Sequence, residues 1–388
     1  MVKAKPHIAV IGAGAFGGWT ALHLLERGAR VTLLDAWGPG NSRASSGGET
    51  RVMRGTYGPD QPYTEMAARA LKLWAKYERR WKRQFLHPTG VLWMARANER
   101  ARDDAFERGS VEELRRANIK FQELSSAQMR KRWPQINFEG IEWGIFEPEC
   151  GYLDARASCQ AVVEQFTAAG GEYRQIEVAR AGLGTSLSRG IKLLDPGLTR
   201  LVADSYVFAC GPWMGKLFPA IIGNLIRPTK QDVFFFGTPA RHGEYFTDSH
   251  LPVWADHGDR FYYGIPSPGD RGFKIADDTR GPDFDPTTGD RIVSPETLER
   301  VREYIAFRFP ALKNAPLIET RVCQYEQTPD SHFIIDRHPA NKNVWVVGGG
   351  SGHGFKHGPA IGEMMADLIL KDRAPEAIWR LARFRKHP

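Results

Sequence analysis

Cysteine is scarce. Only Cys150, Cys159, Cys210 and Cys323 occur in 388 residues, with no C-x-x-C and no zinc-ligand spacing. That excludes a disulfide-stapled scaffold and a sequence-encoded metal module, so no metal is expected. Long apolar runs are missing too. The longest stretch, Ser205 to Ile226, is interrupted by Pro212, Lys216 and Pro219, so no segment reads as a membrane span. There is no strict repeat, which excludes a fibre or solenoid. Apolar residues at 42% and charged residues at 25% exclude disorder.

Acidic residues are in the minority, 45 against 53 Lys+Arg, for a net charge of +8. Such a balance suits nucleic acid, an anionic surface or anionic substrates. The basic residues are dispersed, however. Their densest cluster, Arg130-Lys131-Arg132, ends at Trp133-Pro134 and reads as a solvated helix face. Neither nucleic acid nor a membrane is expected as a partner. A flavoprotein that acts on or binds tRNA is the reading of another class that the charge suggests, and the dispersal argues against it. Lys3 and Lys5 precede an apolar stretch and so imitate a secretory signal. A nucleotide fold explains that stretch better, which points to the cytoplasm.

What is present in abundance is glycine, 40 residues, and its placement is ordered. Ile8-Ala9-Val10-Ile11 reads as a buried parallel strand. Gly12-Ala13-Gly14-Ala15-Phe16-Gly17 follows at once, then a helical stretch from Trp19 to Arg27 that stops at Gly28, then a second apolar run, Val31 to Leu34, closed by Asp35. This is a βαβ unit. Gly12 permits the tight turn, Gly14 lets the backbone approach a pyrophosphate, and Gly17 lets helix and strand pack closely. The helix N-terminus offers free N–H groups to the phosphates. Asp35 stands where an acid accepts bonds from ribose hydroxyls, and it argues against a bound 2′-phosphate.

Residues 38–60 form a long glycine- and serine-rich loop with a functional look. Met66 to Trp81 is an amphipathic helix with Met66, Ala67, Ala70, Leu71, Trp74 and Tyr77 on one stripe. Ser110 and Glu113 make a capping-box pattern. Residues 226–320 read as antiparallel strands and turns, including Asp232 to Gly237, Arg260 to Ile265 and Gly272 to Ala276. Val344 to Val347 is a strand, and Pro359 to Leu370 a helix. At roughly 100–200 residues per domain the length suggests two domains. The expected class is α/β (α+β overall). An interrupted Rossmann-like nucleotide domain takes residues 1–85, 150–225 and 320–388. A smaller antiparallel-sheet substrate domain takes 86–149 and 226–319. A dehydrogenase would complete its parallel sheet with successive βα units. Here the fold closes only at the far C-terminus, with glycine-rich turns at both ends, which favours FAD.

The chain resembles the monomeric sarcosine oxidase and N-methyltryptophan oxidase group of the D-amino-acid-oxidase-like flavoenzymes. The matching segments are Gly12–Gly17 with Asp35, Ser46-Gly47-Gly48-Glu49-Thr50-Arg51-Val52-Met53-Arg54, Tyr262-Tyr263-Gly264 and Gly272-Phe273-Lys274. Cys323-Gln324-Tyr325, His332-Phe333-Ile334-Ile335-Asp336 and Ser351-Gly352-His353-Gly354-Phe355-Lys356 follow in family order. The resemblance implies a flavin linked through Cys323, with the other three cysteines structural. It implies a carboxylate clamp of Arg54 and Lys356, an oxygen-activating Lys274, pocket walls at Tyr263 and Tyr325, and Arg51 over the flavin. Ala15, Phe16, Ser46, Thr50, Val178, Gly211, Lys356, Gly352, His353 and Gly354 are the further expected cofactor contacts, the last three opening the C-terminal helix.

Two positions depart from the family's sarcosine oxidases, which carry histidines where this chain has Gly47 and Asp278. Gly47 is expected to leave room for a larger substrate. Asp278 is open between pairing with an amine, pairing with Lys274, and an exposed turn. Phe234-Phe235-Phe236 is open between pocket and core. The activity implied is oxidation of an amino acid, N-alkylated by preference, to an imine that hydrolyses, with O₂ reduced to H₂O₂ by a monomer or weak oligomer. The enzymatic alternatives are a cyclic or primary L-amino acid oxidase of pipecolate type and a dehydrogenase with another electron acceptor.

Overall fold

The computed structural model describes residues 5–96, 105–179, 190–197, 199–266 and 271–385; Lys3 lies outside them. The strand His7–Ile11 is buried along its whole length. Both its neighbours, Arg30–Asp35 and Ser205–Phe208, run parallel to it. Such a strand has no solvated face, which is why its sequence is a continuous apolar run. The six-stranded sheet continues through Asn341–Gly348 to Ile334–His338 on one side and to Glu172–Gln175 on the other. Only the pairing of Ile334–His338 is antiparallel.

Helices Ala15–Glu26, Gln61–Trp81 and Gly358–Leu370 bury their apolar stripes in one core with the parallel sheet. Gln61–Trp81 begins earlier than its stripe suggests, because Pro62 supplies a preset first turn. Met66, Ala67, Ala70, Trp74 and Tyr77 are buried as expected, and Leu71 is half-buried. No described helix is long and apolar enough to cross a membrane.

A second, eight-stranded sheet has the order 317–327, 227–236, 273–277, 261–265, 253–257, 91–96, 141–147, 122–125. All its pairings are antiparallel except Val91–Arg96 with Val253–His257. Position 320 falls inside the strand Leu317–Gln327, which pairs along its length with Arg227–Phe236. Strand alternation settles Phe234-Phe235-Phe236: Phe234 and Phe236 enter the core beneath the sheet, and Phe235 packs on the other face. All three are core residues.

Three local expectations are corrected. Ser110 does not cap a helix. It is the sixth residue of Ala105–Arg116, where its hydroxyl donates to the Phe106 carbonyl and accepts from the Gly58 amide. The capping box of this region is Ser125 with Gln128, ahead of the helix Ser126–Arg132 on which Arg130, Lys131 and Arg132 are exposed. The loop 38–60 contains a strand, Thr50–Met53, which pairs with Gly151–Asp154 in a small three-stranded sheet. The segment 226–320 is not all strands and turns. It contains the helix Pro295–Arg308, capped by Ser294. Its fully buried Arg308 donates to the fully buried Asp256, with the Tyr304 hydroxyl on the same carboxylate. A buried charge needs such partners, and here they fasten helix to sheet.

Candidate active site

The turn after the first strand needs two glycines for different reasons. Gly12 has φ +104°, and a Cβ there would lie 2.3 Å from the Ala209 carbonyl oxygen. A Cβ at Gly17 would lie 1.8 Å from the Gly12 oxygen, so only glycine lets the helix sit this close to the turn. Gly14 stands at the N-cap of Ala15–Glu26 and provides no side-chain cap. The Ser46 hydroxyl accepts from the Ala15 amide at 3.2 Å, which ties the glycine-serine loop to the helix start. Asp35 accepts from the amides of Ala13, Trp37 and Gly38. Burial pushes its carboxyl pKa up, and these amides oppose the rise. Its two oxygens still have lone pairs for hydroxyl donors.

These groups open on one cavity. Gly12, Gly14, Ala15, Phe16, Asp35, Ser46, Arg51, Val178, Gly211, Tyr325, Gly352 and Gly354 all line it, as does Cys210. A second cavity is lined by Arg51, Arg54, Tyr263, Asp278, Tyr325, His353 and Lys356 among apolar walls. Arg51, Tyr325, Gly352 and Phe355 belong to both. The donor set of the first cavity fits a dinucleotide: an uncapped helix start behind two obligatory glycines, and an acid at the end of the second strand.

The junction is built from three strands. Arg51, on Thr50–Met53, donates to the carbonyls of Thr50 and Ser45 at 2.8 and 2.6 Å and to the Cys323 sulfur at 3.3 Å. Cys323 itself, half-buried on Leu317–Gln327, lies beside Arg51 and is not among the lining residues of either cavity. Lys274, on the fully buried strand Phe273–Asp277, is 3% exposed. Its ammonium donates to the Thr50 carbonyl and hydroxyl, both at 3.0 Å. Burial, and then the Arg51 charge, bring its pKa down to about 7.

The second cavity holds more positive charge. Lys356 is buried, and donates to the Tyr57 hydroxyl at 2.8 Å and the His353 carbonyl at 2.7 Å. Burial and the neighbouring Arg54 hold its pKa well below the usual lysine range. The Arg54 guanidinium lies 4.2 Å from the Tyr57 ring centre and 5.2 Å from that of Trp93. Its Nη1 is buried and has no hydrogen-bond acceptor among the described residues. Asp278 faces the same space, and the Tyr325 hydroxyl donates to its Oδ1. Burial pushes its carboxyl up to about 6. Asp278 is thus neither an exposed turn acid nor the partner of Lys274.

Gly47 is corrected. It lines neither cavity, and a Cβ there would fall 1.9 Å from the Asn41 carbonyl oxygen. Tight backbone packing, and not room for substrate, calls for glycine. Gly352–Gly354 do not open the C-terminal helix directly, because a 3₁₀ turn, Phe355–His357, precedes Gly358–Leu370. Several site residues escaped sequence reasoning. Glu147 accepts from the amides of Gly55 and Thr56 and from the Thr56 hydroxyl, and so pins the turn that follows Arg54. Tyr57 and Trp93 flank Arg54. Glu326 lines the first cavity, accepts from the Gly349 amide at 3.1 Å, and is pushed by burial up to about 7. Tyr57 lies three residues after Arg54 and Glu326 directly follows Tyr325, whereas Glu147 and Trp93 sit on strands far away in the chain.

Fold and site together define a dinucleotide-dependent oxidoreductase, with a cation-lined pocket beside its cofactor cavity. The chain belongs to the DAO family of FAD dependent oxidoreductases, whose pattern it matches over residues 7–368. It is 29% identical over 383 residues to the monomeric sarcosine oxidase of Bacillus sp. (strain B-0618), covering 96% of this chain and 94% of the relative. It is 26% identical over 387 residues to the N-methyl-L-tryptophan oxidase of Yersinia pestis (strain Pestoides F), covering 97% and 98%. In fold it is similar to L-proline dehydrogenase from P. horikoshii, with a TM-score of 0.81 at 22% identity over 99% of this chain and 98% of that one. NikD, an amino acid oxidase of nikkomycin biosynthesis, is similar with a TM-score of 0.76 at 19% identity, covering 98% and 97%.

Proposed function

We propose that this FAD-dependent oxidoreductase oxidises the C–N bond of an amino acid, N-alkylated by preference, to an imine that hydrolyses, with O₂ reduced to H₂O₂. The observation that carries this reading is the buried Nη1 of Arg54, without a partner among the described residues, beside Lys356 in the second cavity. A buried ammonium beside a half-buried guanidinium whose Nη1 is buried is costly unless an anion joins them, and a substrate carboxylate is that anion. A guanidinium binds it in a fixed fork, and the ammonium adds a point charge. The Tyr57 and Trp93 rings hold the fork in place.

FAD, when bound, supplies the two-electron acceptor for a hydride from the carbon next to nitrogen and passes the electrons to O₂. Arg51, on the wall common to both cavities, adds positive charge at their junction. Lys274, a buried cation held by neutral acceptors, is the group assigned to stabilise superoxide as it forms. Cys323, beside Arg51, is assigned the covalent link to the flavin, in keeping with the family resemblance.

The reading is tested by adding sarcosine, N-methyl-L-phenylalanine, L-proline and L-pipecolate to the holoenzyme under anaerobic conditions. Bleaching of the flavin by at least one of them is expected, with H₂O₂ produced in air in proportion to imine. No bleaching by any amino acid, or bleaching without H₂O₂ in air, overturns the oxidase.

A further inference from the structure

The walls of the second cavity carry Arg51, Arg54 and Lys356 and a single acid, Asp278. A carboxylate bound there answers Arg54 and Lys356. The nitrogen of an amino acid, positive in water, is then a misfit beside three cations unless a negative group receives it. Asp278 is placed to do so. Its amide donates to the Phe261 carbonyl and its Oδ1 accepts from Tyr325, a residue of the same pocket wall. Oδ2 takes no hydrogen bond from any described residue and is not among the fully buried, unpaired atoms. A carboxylate fixed through one oxygen, with the other oxygen turned to a cavity, is an acceptor awaiting a donor.

We propose that Asp278, held by Tyr325, is the specificity-determining anchor for the substrate nitrogen, so that the pocket selects zwitterions over simple carboxylates. The proposal rests on the carboxylate clamp of the previous subsection. The nitrogen and Asp278 share one proton. As the N–H bond breaks, the O–H bond forms on Oδ2, and the nitrogen becomes neutral without losing its partner. The groups facing Asp278 are Tyr325, Tyr263, Arg54, Lys356 and the adjacent Asp277. Asp277 is occupied by Arg260. The carboxyl titrates near pH 6, above an ordinary aspartate, as a group that gives and takes a proton should.

The test uses matched ligand pairs with the holoenzyme under anaerobic conditions. Sarcosine is paired with butanoate, L-proline with cyclopentanecarboxylate, and N-methyl-L-phenylalanine with 2-benzylbutanoate; CH₂ replaces NH in each second member. Affinity is read from the flavin spectrum in the parent and in Asp278→Asn. Asparagine keeps an oxygen for Tyr325, and an unchanged flavin content and resting spectrum report an intact site. In Asp278→Asn the amine-bearing members should weaken by about ten- to a hundredfold, while the nitrogen-free acids keep the parent affinity within about twofold. In the parent the preference for the amine member should fade as pH drops through about 6, and Asp278→Asn should lack that dependence. Equal losses for both members of a pair, or none for either, overturn the anchor and leave the clamp standing. If no carboxylate binds the parent at all, the clamp fails and the anchor falls with it.

Discussion

Lys274 and Thr50 are 224 positions apart in the chain, yet the lysine ammonium donates to both the carbonyl and the hydroxyl of that one threonine at 3.0 Å. Neither acceptor carries a charge. The lysine is therefore positioned but not neutralised, and its pKa of about 7 reflects burial and the Arg51 charge. Positive charge whose described hydrogen-bond partners are both neutral is available to an anion that forms nearby.

Lys274→Met should slow the reaction of reduced enzyme with O₂ by up to about a thousandfold and affect anaerobic reduction by substrate far less. Stopped-flow measurement of the two half-reactions separates them. A group with its pKa lowered to about 7 is cationic below that pH and neutral above it. Reoxidation of the parent should accordingly slow as pH rises through about 7, a dependence absent from Lys274→Met. Reoxidation of the variant at the parent rate would remove Lys274 from this step.

Arg54→Met and Lys356→Met should each weaken carboxylate ligands by at least about tenfold, since a charged hydrogen-bonded contact contributes about 1.5–3 kcal/mol. Flavin content should stay normal in both. Unchanged affinity in both variants would take the pair out of the substrate site.

Covalent attachment through Cys323 is checked by acid precipitation of fully loaded protein. The yellow colour should stay in the pellet. With Cys323→Ser it should move to the supernatant, with the far-ultraviolet circular dichroism little changed. Release of flavin from the parent would refute the link.

Gly17→Ala places a methyl group where the Gly12 carbonyl oxygen lies 1.8 Å away. Turn and helix must separate, at a cost of about 1–3 kcal/mol. Lower Tm and substoichiometric FAD are expected. A variant with the parent's Tm and a full complement of FAD would show that the close packing is dispensable.

What the amino-acid sequence determined alone is local. The run His7–Ile11, the glycine turn and Asp35 lie within about thirty residues, and their requirements are backbone requirements, so the nucleotide-binding unit was legible without tertiary knowledge. Arg54, Lys274 and Lys356 were legible only through the order of family segments; as isolated cations they carry no mark that separates them from surface residues. The helix Pro295–Arg308 was missed because its buried face is only Val301, Tyr304, Ile305 and Arg308, too narrow a stripe to outweigh the strands around it. The pattern Ser110-x-x-Glu113 misled because the same spacing arises inside a helix, where the hydroxyl turns back to its own backbone. Tertiary structure decided the rest. Strand pairing alone brings Tyr263 opposite Ala276, two residues short of Asp278, and Tyr325 opposite Thr229 in the same sheet. Burial then pushes the Asp278 carboxyl up to about 6, and it leaves Arg54 with a donor that no described residue satisfies. Distances across a fold and the cost of desolvating a charge exist only once the chain has closed on itself.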